Sequence, residues 1–379
     1  MKTPETSKLF VKRTDPESGV DYYVLSERYA PYQQGFYFVN NSMTTDGRYL
    51  WFVLQYPPLD QSVSHLAYVD FETDEVVVCY DTVDGANYVD PRDGTVYFLL
   101  RNLLYRRRPG KDERSELLHK IPTRGYAYRI CATHLTLTPN GKKFFLDVNS
   151  GVDEHYCGTL DLETGEFCHW ADAPHWTNHG QMNPRRDDLA LCAYGYGLDM
   201  KTGTRQNFPY DENGVYQRLW TVTRDGVRTC YPALNNYATH EWWSADGTKI
   251  YYCNQLGLCS INIENGEHIV THPCRPWHGF SSRDDSMFTF DQMVRDRYAD
   301  WYRGCAASVH FWNAKTDREI KFVTRMPEYC EPGDYFPYHL DPHPRFTENE
   351  QYIVFTVSEN GCPNLAIIPV APLLEMTKE

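Results

Sequence analysis

Nowhere in this chain do eighteen consecutive apolar residues occur, and its first nineteen residues, MKTPETSKLFVKRTDPESG, lack the apolar run a secretory signal carries. The first absence excludes a spanning helix. The second gives the expectation of a cytoplasmic protein, or a periplasmic one if a signal peptide preceded this sequence. Positive charge is also scarce: 37 Lys and Arg stand against 51 Asp and Glu, a formal net charge of −14. The one basic run, Arg106 to Lys111, is short and not interleaved with aromatics. Such a balance repels phosphate backbones, so neither nucleic acid nor a membrane is an expected partner. An anionic ligand fits only a concave site with its own cations, because charges beyond about 8 Å are screened at physiological salt.

The 12 cysteines include no CxxC pair, and most sit in strand-like runs such as VVVCY and KIYYCN, which reads as buried free thiols in a reducing compartment. Helical periodicity is nearly absent. One helical turn fits within Asp284 to Tyr302 and another within RPGKDERSELLHKI (Arg108 to Ile121), too little for a helical domain. With 41% hydrophobic and 15% aromatic residues the chain still has the material for a core, which excludes disorder as its main state.

What is there is a repeat. A turn followed by alternating aromatic and β-branched residues recurs as DGRYLWFVL (from Asp46), DGTVYFLL (Asp93), NGKKFFLDV (Asn140), DGTKIYYCN (Asp246), DDSMFTFD (Asp284) and NEQYIVFTV (Asn349). Asp-Gly or Asn-Gly between period-two runs is a strong hairpin signal, because both central turn residues need positive φ. A second hairpin follows most of these: YVDFETDEVVVCY, TLDLETGEFCHW, GLDMKTGTRQNF, SINIENGEHIV and HFWNAKTDREIKFV. Two hairpins make four antiparallel strands, and the units recur at roughly 40 to 60 residues, the spacing of propeller blades. Seven units open near Thr44, Tyr88, His134, His179, His240, His278 and His343. The expected fold is all-β: a seven-bladed β-propeller of four-stranded antiparallel blades, a single domain over residues 1–379, with the strand from Val20 to Ser26 completing the last sheet. The fourth unit is irregular, since MNPRRDDLALCAY replaces its Asn-Gly turn and it extends through RLWTVTRDGVRTCY to about Tyr231.

The histidines follow the same repeat. His134, His240, His278 and His343 each stand six residues before the turn residue of their unit, and His179 precedes the irregular turn by nearly that interval. Rotation relates equivalent positions in successive blades, so these five imidazoles are expected to converge on one end of the central channel. One such histidine reads most simply as a satisfied strand residue. Five in register point to a metal, an anionic ligand or acid–base work, because imidazoles facing one cavity are costly to desolvate without partners. The densest cluster is PYHLDPHPRF, where His339, Asp341 and His343 stand two apart and share one side of an extended segment, with Arg345 following. Imidazole plus carboxylate suits Mn²⁺ or Zn²⁺ better than Ca²⁺, and a hydrogen-bonded His–Asp loop is the alternative.

THEWWSADGTKIYY (Thr239 to Tyr252), HGQMNP (His179 to Pro184), QRLWTV (Gln217 to Val222), HGFSSRDD (His278 to Asp285) and DPHPRFTENEQYIVFTVSENGCPNL (Asp341 to Leu365) together resemble the oligogalacturonate lyase family. The motifs cover the second half of the chain; the first half shares only the repeat pattern. The resemblance implies a seven-bladed propeller that cleaves short pectic oligosaccharides by β-elimination, using a histidine base and a divalent cation, typically Mn²⁺, held by histidines and a glutamine. It implies His240 as base, Arg218 as its partner, and His278 and His343 as metal ligands. The family's His-Pro-His is Asp341-Pro342-His343 here, and its glutamine falls on Tyr338, which has no amide, leaving His339 or Asp341 to stand in.

That chemistry suits the residues. Removing a uronate C5 proton takes a base of near-neutral pKa and positive charge to offset the neighbouring carboxylate. An acidic chain recruits a polyanion poorly from afar, which favours short acidic oligosaccharides and a concentrated cationic pocket that His134, His179, Gln181 and Arg345 are expected to line. Trp220, Trp242 and Trp277 are core residues or stacking platforms. Two other readings remain at this point: a metal-dependent carbohydrate hydrolase, and a non-catalytic binding propeller of the TolB type.

Overall fold

The computed structural model describes residues 1–56, 64–83, 86–123, 129–150, 154–195, 213–215, 217–293, 307–324, 341–359 and 362–379. Its strands form seven antiparallel sheets that follow one another along the chain, the seven blades of a propeller. The turns lie where the dipeptides put them: Gly47, Gly94, Gly141 and Gly247 have φ of 77, 77, 70 and 72°, open to glycine at no steric cost.

Alternating residues of each blade pack against the next blade, so the core is a ring of clusters between sheets. One such cluster joins Phe311 and Phe322 of the sixth blade to Phe346 and Phe355 of the seventh. Because apolar faces meet between blades, the innermost strands are free to present polar side chains to the channel. The ten described cysteines are all free, as expected, but only five are buried; four are partly buried and Cys230 is exposed. Among the described residues no helix is long and apolar enough to cross a membrane.

The seventh sheet closes the ring. Its order is Phe10–Thr14, Asp21–Leu25, Cys362–Pro369, Tyr352–Glu359 and Arg345–Phe346, with Tyr23 opposite Ile367 and Val24 opposite Ala366. The N-terminus supplies a hairpin, one strand more than the sequence suggested. Asp15 turns that hairpin by accepting from Ser18 N (2.8 Å), and it ties it to the sixth blade by accepting from Thr324 N and Oγ1 (2.8 and 2.7 Å).

Several details depart from expectation. The first blade opens at Tyr32–Gln34, not near Thr44: the chain leaves the sheet after Gln34 and rejoins it only at Met43, which bridges Leu50. In the fourth blade the outer pair is Leu219–Thr223 and Arg228–Tyr231, and GLDMKTGTRQNF lies outside the described residues. Neither suggested helical turn forms among the described residues: Met287–Met293 and Glu116–Lys120 are strands, because sheet neighbours satisfy their backbone groups. A short helix, Val370–Met376, follows the last strand instead and buries Val370 and Leu373.

Candidate active site and metal centre

The innermost strands of blades four, five and six are Thr177–Met182, Thr239–Trp243 and Pro276–Ser281. Each breaks register with its neighbour at the histidine: between Asn178 and Gln181, between Thr239 and Trp242, and between Pro276 and Gly279. His179, His240 and His343 sit in the left-handed region, at φ of 53, 48 and 48°. That conformation costs an ordinary L-residue about 1–2 kcal/mol, and a bulge re-aims the side chain that a regular strand would send to one face of the sheet.

Residues seven positions after the turn, on the second strand of their blades, hold these bulges. Asp147 accepts from Thr133 N (2.9 Å), Thr133 Oγ1 (2.7 Å) and, across to the fourth blade, Gly180 N (3.2 Å). Asp291 accepts from His278 N (2.7 Å) and, in the seventh blade, from His343 N (3.2 Å). Thr356 Oγ1, at the equivalent position, accepts from Gly35 N of the first blade (3.2 Å).

The five histidines meet. Ring centroids of consecutive pairs lie 5.3 Å (His134–His179), 5.9 Å (His179–His240), 4.0 Å (His240–His278) and 4.3 Å (His278–His343) apart. Their partners differ. His240 Nδ1 faces the Trp277 carbonyl, which only accepts, so Nδ1 carries the proton and Nε2 keeps its lone pair. Burial first, then His278, His179 and Arg218, holds the His240 pKa well below the usual imidazole value, so the ring is neutral. His179 Nδ1 pairs with Glu241 Oε1 at 2.9 Å, and Arg218 Nη2 lies 3.7 Å from Glu241 Oε2. Burial pushes the Glu241 carboxyl up, but His179 and Arg218 outweigh it and keep the group ionised. Arg218 is itself only 4% exposed and donates to the Tyr194 carbonyl at 2.9 Å. His134 stacks on Tyr37 at 4.8 Å, and its Nε2 has no hydrogen-bond partner among the described residues.

His278, Asp341 and His343 form the one group among the described residues whose ligand atoms all lie within 4.8 Å of one another. His278 Nδ1 is held by Asp291 Oδ2 at 2.9 Å, which turns Nε2 toward Asp341 Oδ2 at 3.9 Å; His343 Nε2 lies 3.7 Å from the same oxygen. Ligand atoms about 2.1 Å from a shared ion are roughly 3 to 3.5 Å apart, so small side-chain shifts complete a site. A carboxylate on the far nitrogen of a metal-binding histidine is the usual outer support. Burial, reinforced by nearby Asp291, pushes the Asp341 carboxyl well above its ordinary range, a penalty that a divalent cation removes. The donor set therefore fits a metal ion. The segment is not a regular strand, however: strand pairing begins at Arg345, and the left-handed turn at His343, rather than strand alternation, brings the two side chains together. His339 lies outside the described residues.

Gln181 and Arg345 lie elsewhere in the channel. Gln181 Nε2 donates to the Glu241 carbonyl at 2.8 Å, and Arg345 donates to the Phe38 carbonyl at 3.1 Å and to Glu348 at 3.1 Å. Both line a chamber of about 350 Å³ toward the turn end, beside Arg185, Ala245, Arg283 and Glu350. Trp220 and Trp242 are fully buried and stack on Tyr194 and Tyr251, while Trp277 is 9% exposed. The sequence reading missed three residues: Glu241, Asp291 and Tyr37. The two acids carried a signal, a charge within the apolar runs THEWW and MFTFDQM. Tyr37 carried none, because the first blade lacks the histidine that marks the register.

No family model matches the chain. Over 241 residues it is 25% identical to the oligogalacturonate lyase of Dickeya dadantii, and over 231 residues 24% identical to the oligogalacturonide lyase of Pectobacterium atrosepticum. Each match takes in 56% of this chain and 54% of the relative, about half the length of the curated relatives. A solved oligogalacturonate lyase in complex with manganese has a TM-score of 0.73 at 18% identity, covering 97% of this chain and 98% of the other. The oligogalacturonate lyase of Vibrio parahaemolyticus gives 0.74 at 17%, covering 95% and 96%. The curated relatives thus carry the name of the family that the blade openings resemble, and the structural likeness establishes the propeller fold along nearly the whole chain.

Proposed function

We propose that this protein is a lyase of the oligogalacturonate type, cleaving short acidic oligosaccharides by β-elimination with a divalent ion, Mn²⁺ by preference. The observation that carries this reading is the meeting, in one funnel, of a neutral imidazole with its lone pair on Nε2, a buried guanidinium and a three-residue metal donor set. The curated relatives bear the name of that activity, and the metal in the similar structure is manganese.

His240 Nε2 takes the C5 proton of a uronate, while the Trp277 carbonyl keeps the ring in the right tautomer and orientation. Arg218, fixed by Tyr194 and Glu241, places its guanidinium charge near the negative charge that develops as the C5 proton leaves. The C4–O bond then breaks, the glycosidic oxygen leaves with a proton taken up from water, and a 4,5-double bond forms. His278, Asp341 and His343 would hold the ion, whose chemistry when bound is to offset the substrate carboxylate. That positive charge matters here, because among the described residues Glu241, Asp291 and Asp341 lie against the histidines, and the guanidinium of Arg218 is paired with Glu241. An acidic substrate needs the cation to reverse the sign of the site.

The test is to incubate the purified protein with di- and trigalacturonate, with Mn²⁺ and then with chelator, following ultraviolet absorbance and reducing ends. Absorbance from the conjugated alkene, abolished by chelator, is the expected outcome. New reducing ends without absorbance would mean hydrolysis, and neither signal over a panel of uronate oligosaccharides would refute the enzyme reading.

A further inference from the structure

The first blade gives no histidine to the ring. It gives Tyr37, on the excursion between Gln34 and Met43, and this side chain sits among all five imidazoles. Its centroid lies 4.8 Å from His134, 5.8 Å from His179, 6.5 Å from His240, 5.6 Å from His278 and 4.7 Å from His343. The contacts to His278 and His343 are edge-to-face, with interplanar angles of 81 and 62°.

The excursion is braced at both ends of the tyrosine. Gly35 N donates to Thr356 Oγ1 (3.2 Å), Phe38 O accepts from Arg345 (3.1 Å), and the Asn40 amide donates to Asn87 O. Phe38, fully buried, packs its ring 5.3 Å from His278 and edge-on to Trp242 at 6.3 Å. Tyr37 is therefore a fixed wedge, and contacts from the fifth, sixth and seventh blades hold the loop that carries it.

We propose that Tyr37 is a positioning residue for the metal centre: its ring, wedged edge-on against His278 and His343, sets the planes of the two imidazoles that would hold the ion. The inference rests on the metal reading above and deepens it. An imidazole held at one point can still turn about its Cβ–Cγ bond, and ligand geometry is lost by such turning well before the fold is disturbed. Asp291 fixes His278 through Nδ1, and it fixes His343 through the backbone nitrogen. The Tyr37 ring adds an aromatic wall that both imidazole planes meet, in the geometry aromatic pairs favour. The hydroxyl lies 3.4 Å from Nε2 of His179, which is outside the donor set, so it is the ring and not the hydroxyl that this proposal assigns to the metal.

The experiment measures Mn²⁺ binding to the full chain by calorimetry, with no substrate present. Tyr37→Leu is expected to weaken binding tenfold to a hundredfold, the usual range for residues supporting metal ligands, with little change in unfolding temperature without metal. Tyr37→Phe, which restores the ring, is expected to bind within about twofold of wild type. Should the leucine variant fail to fold, Tyr37→Met keeps most of the volume without the aromatic edge, and the same loss is expected of it. Wild-type affinity in the folded Leu or Met variant would overturn the inference alone, as would an equal loss in Tyr37→Phe. No Mn²⁺ binding by the wild type would overturn the metal reading and this inference with it.

Discussion

His240 differs from His179 and His278 in what fixes it. A backbone carbonyl holds its Nδ1, whereas Glu241 holds His179 and Asp291 holds His278. A carboxylate partner would favour the imidazolium more strongly than a carbonyl does; the carbonyl fixes the tautomer, and burial with His278, His179 and Arg218 keeps the ring neutral, as a base requires. His240→Ala is accordingly expected to lower kcat by about a thousandfold on an acidic oligosaccharide, with Mn²⁺ affinity and unfolding temperature close to wild type; steady-state kinetics beside calorimetry checks this, and retained turnover would remove His240 from the mechanism. The spacing of six residues to the turn made the histidines legible. The carboxylates showed only as charges within apolar runs, and their pairings were not legible, because Glu241 reaches His179 from the next blade and Asp291 reaches His278 from the next strand.

At the scale of the element, the bulged innermost strand is the repeated device, and it depends on close approach. A Cβ on Gly180 would stand 2.8 Å from Asp147 Cβ and Cγ, in a place where the carboxylate is already held by Thr133. Gly180→Ala is expected to destabilise the protein by about 1–3 kcal/mol in urea unfolding, through forced movement of the strand that carries His179. Outside the channel, Glu319 on the outermost strand of blade six links His272 of blade five (2.7 Å) to His310 (2.5 Å). Burial pushes its carboxyl up, but these hydrogen bonds and charges prevail and hold it at about 2, against an ordinary 4.5. A depressed carboxyl stabilises the fold fully above the unfolded value, and that contribution is lost as pH falls from about 4.5 toward 2. The side chain is 31% exposed, so solvent screening reduces the gain. Glu319→Gln is expected to cost about 1–2 kcal/mol at neutral pH and to flatten the loss of stability across that acid window, measured by unfolding at stepped pH.

For the molecule as a whole, closure of the ring decides whether seven sheets behave as one body. The first blade borrows its anchor from the seventh through Gly35 and Thr356, and the seventh takes two strands from the N-terminus. Val24, 1% exposed and opposite Ala366, sits on that seam. Val24→Asp places a charge there and is expected to cost about 3 kcal/mol, lowering the temperature of a single cooperative transition; survival of that transition at the wild-type temperature would show that the seam adds nothing. Turn dipeptides, strand alternation and the interval from histidine to turn are local regularities, and for that reason the sequence alone determined the blades, their number and the set of imidazoles facing the channel. That His240 meets a carbonyl, that His179 meets a carboxylate, and that Tyr37 stands among the imidazoles were decided only by the tertiary structure. Each depends on a hydrogen bond or ring contact from a neighbouring blade, and those neighbours exist only once the chain has closed on itself.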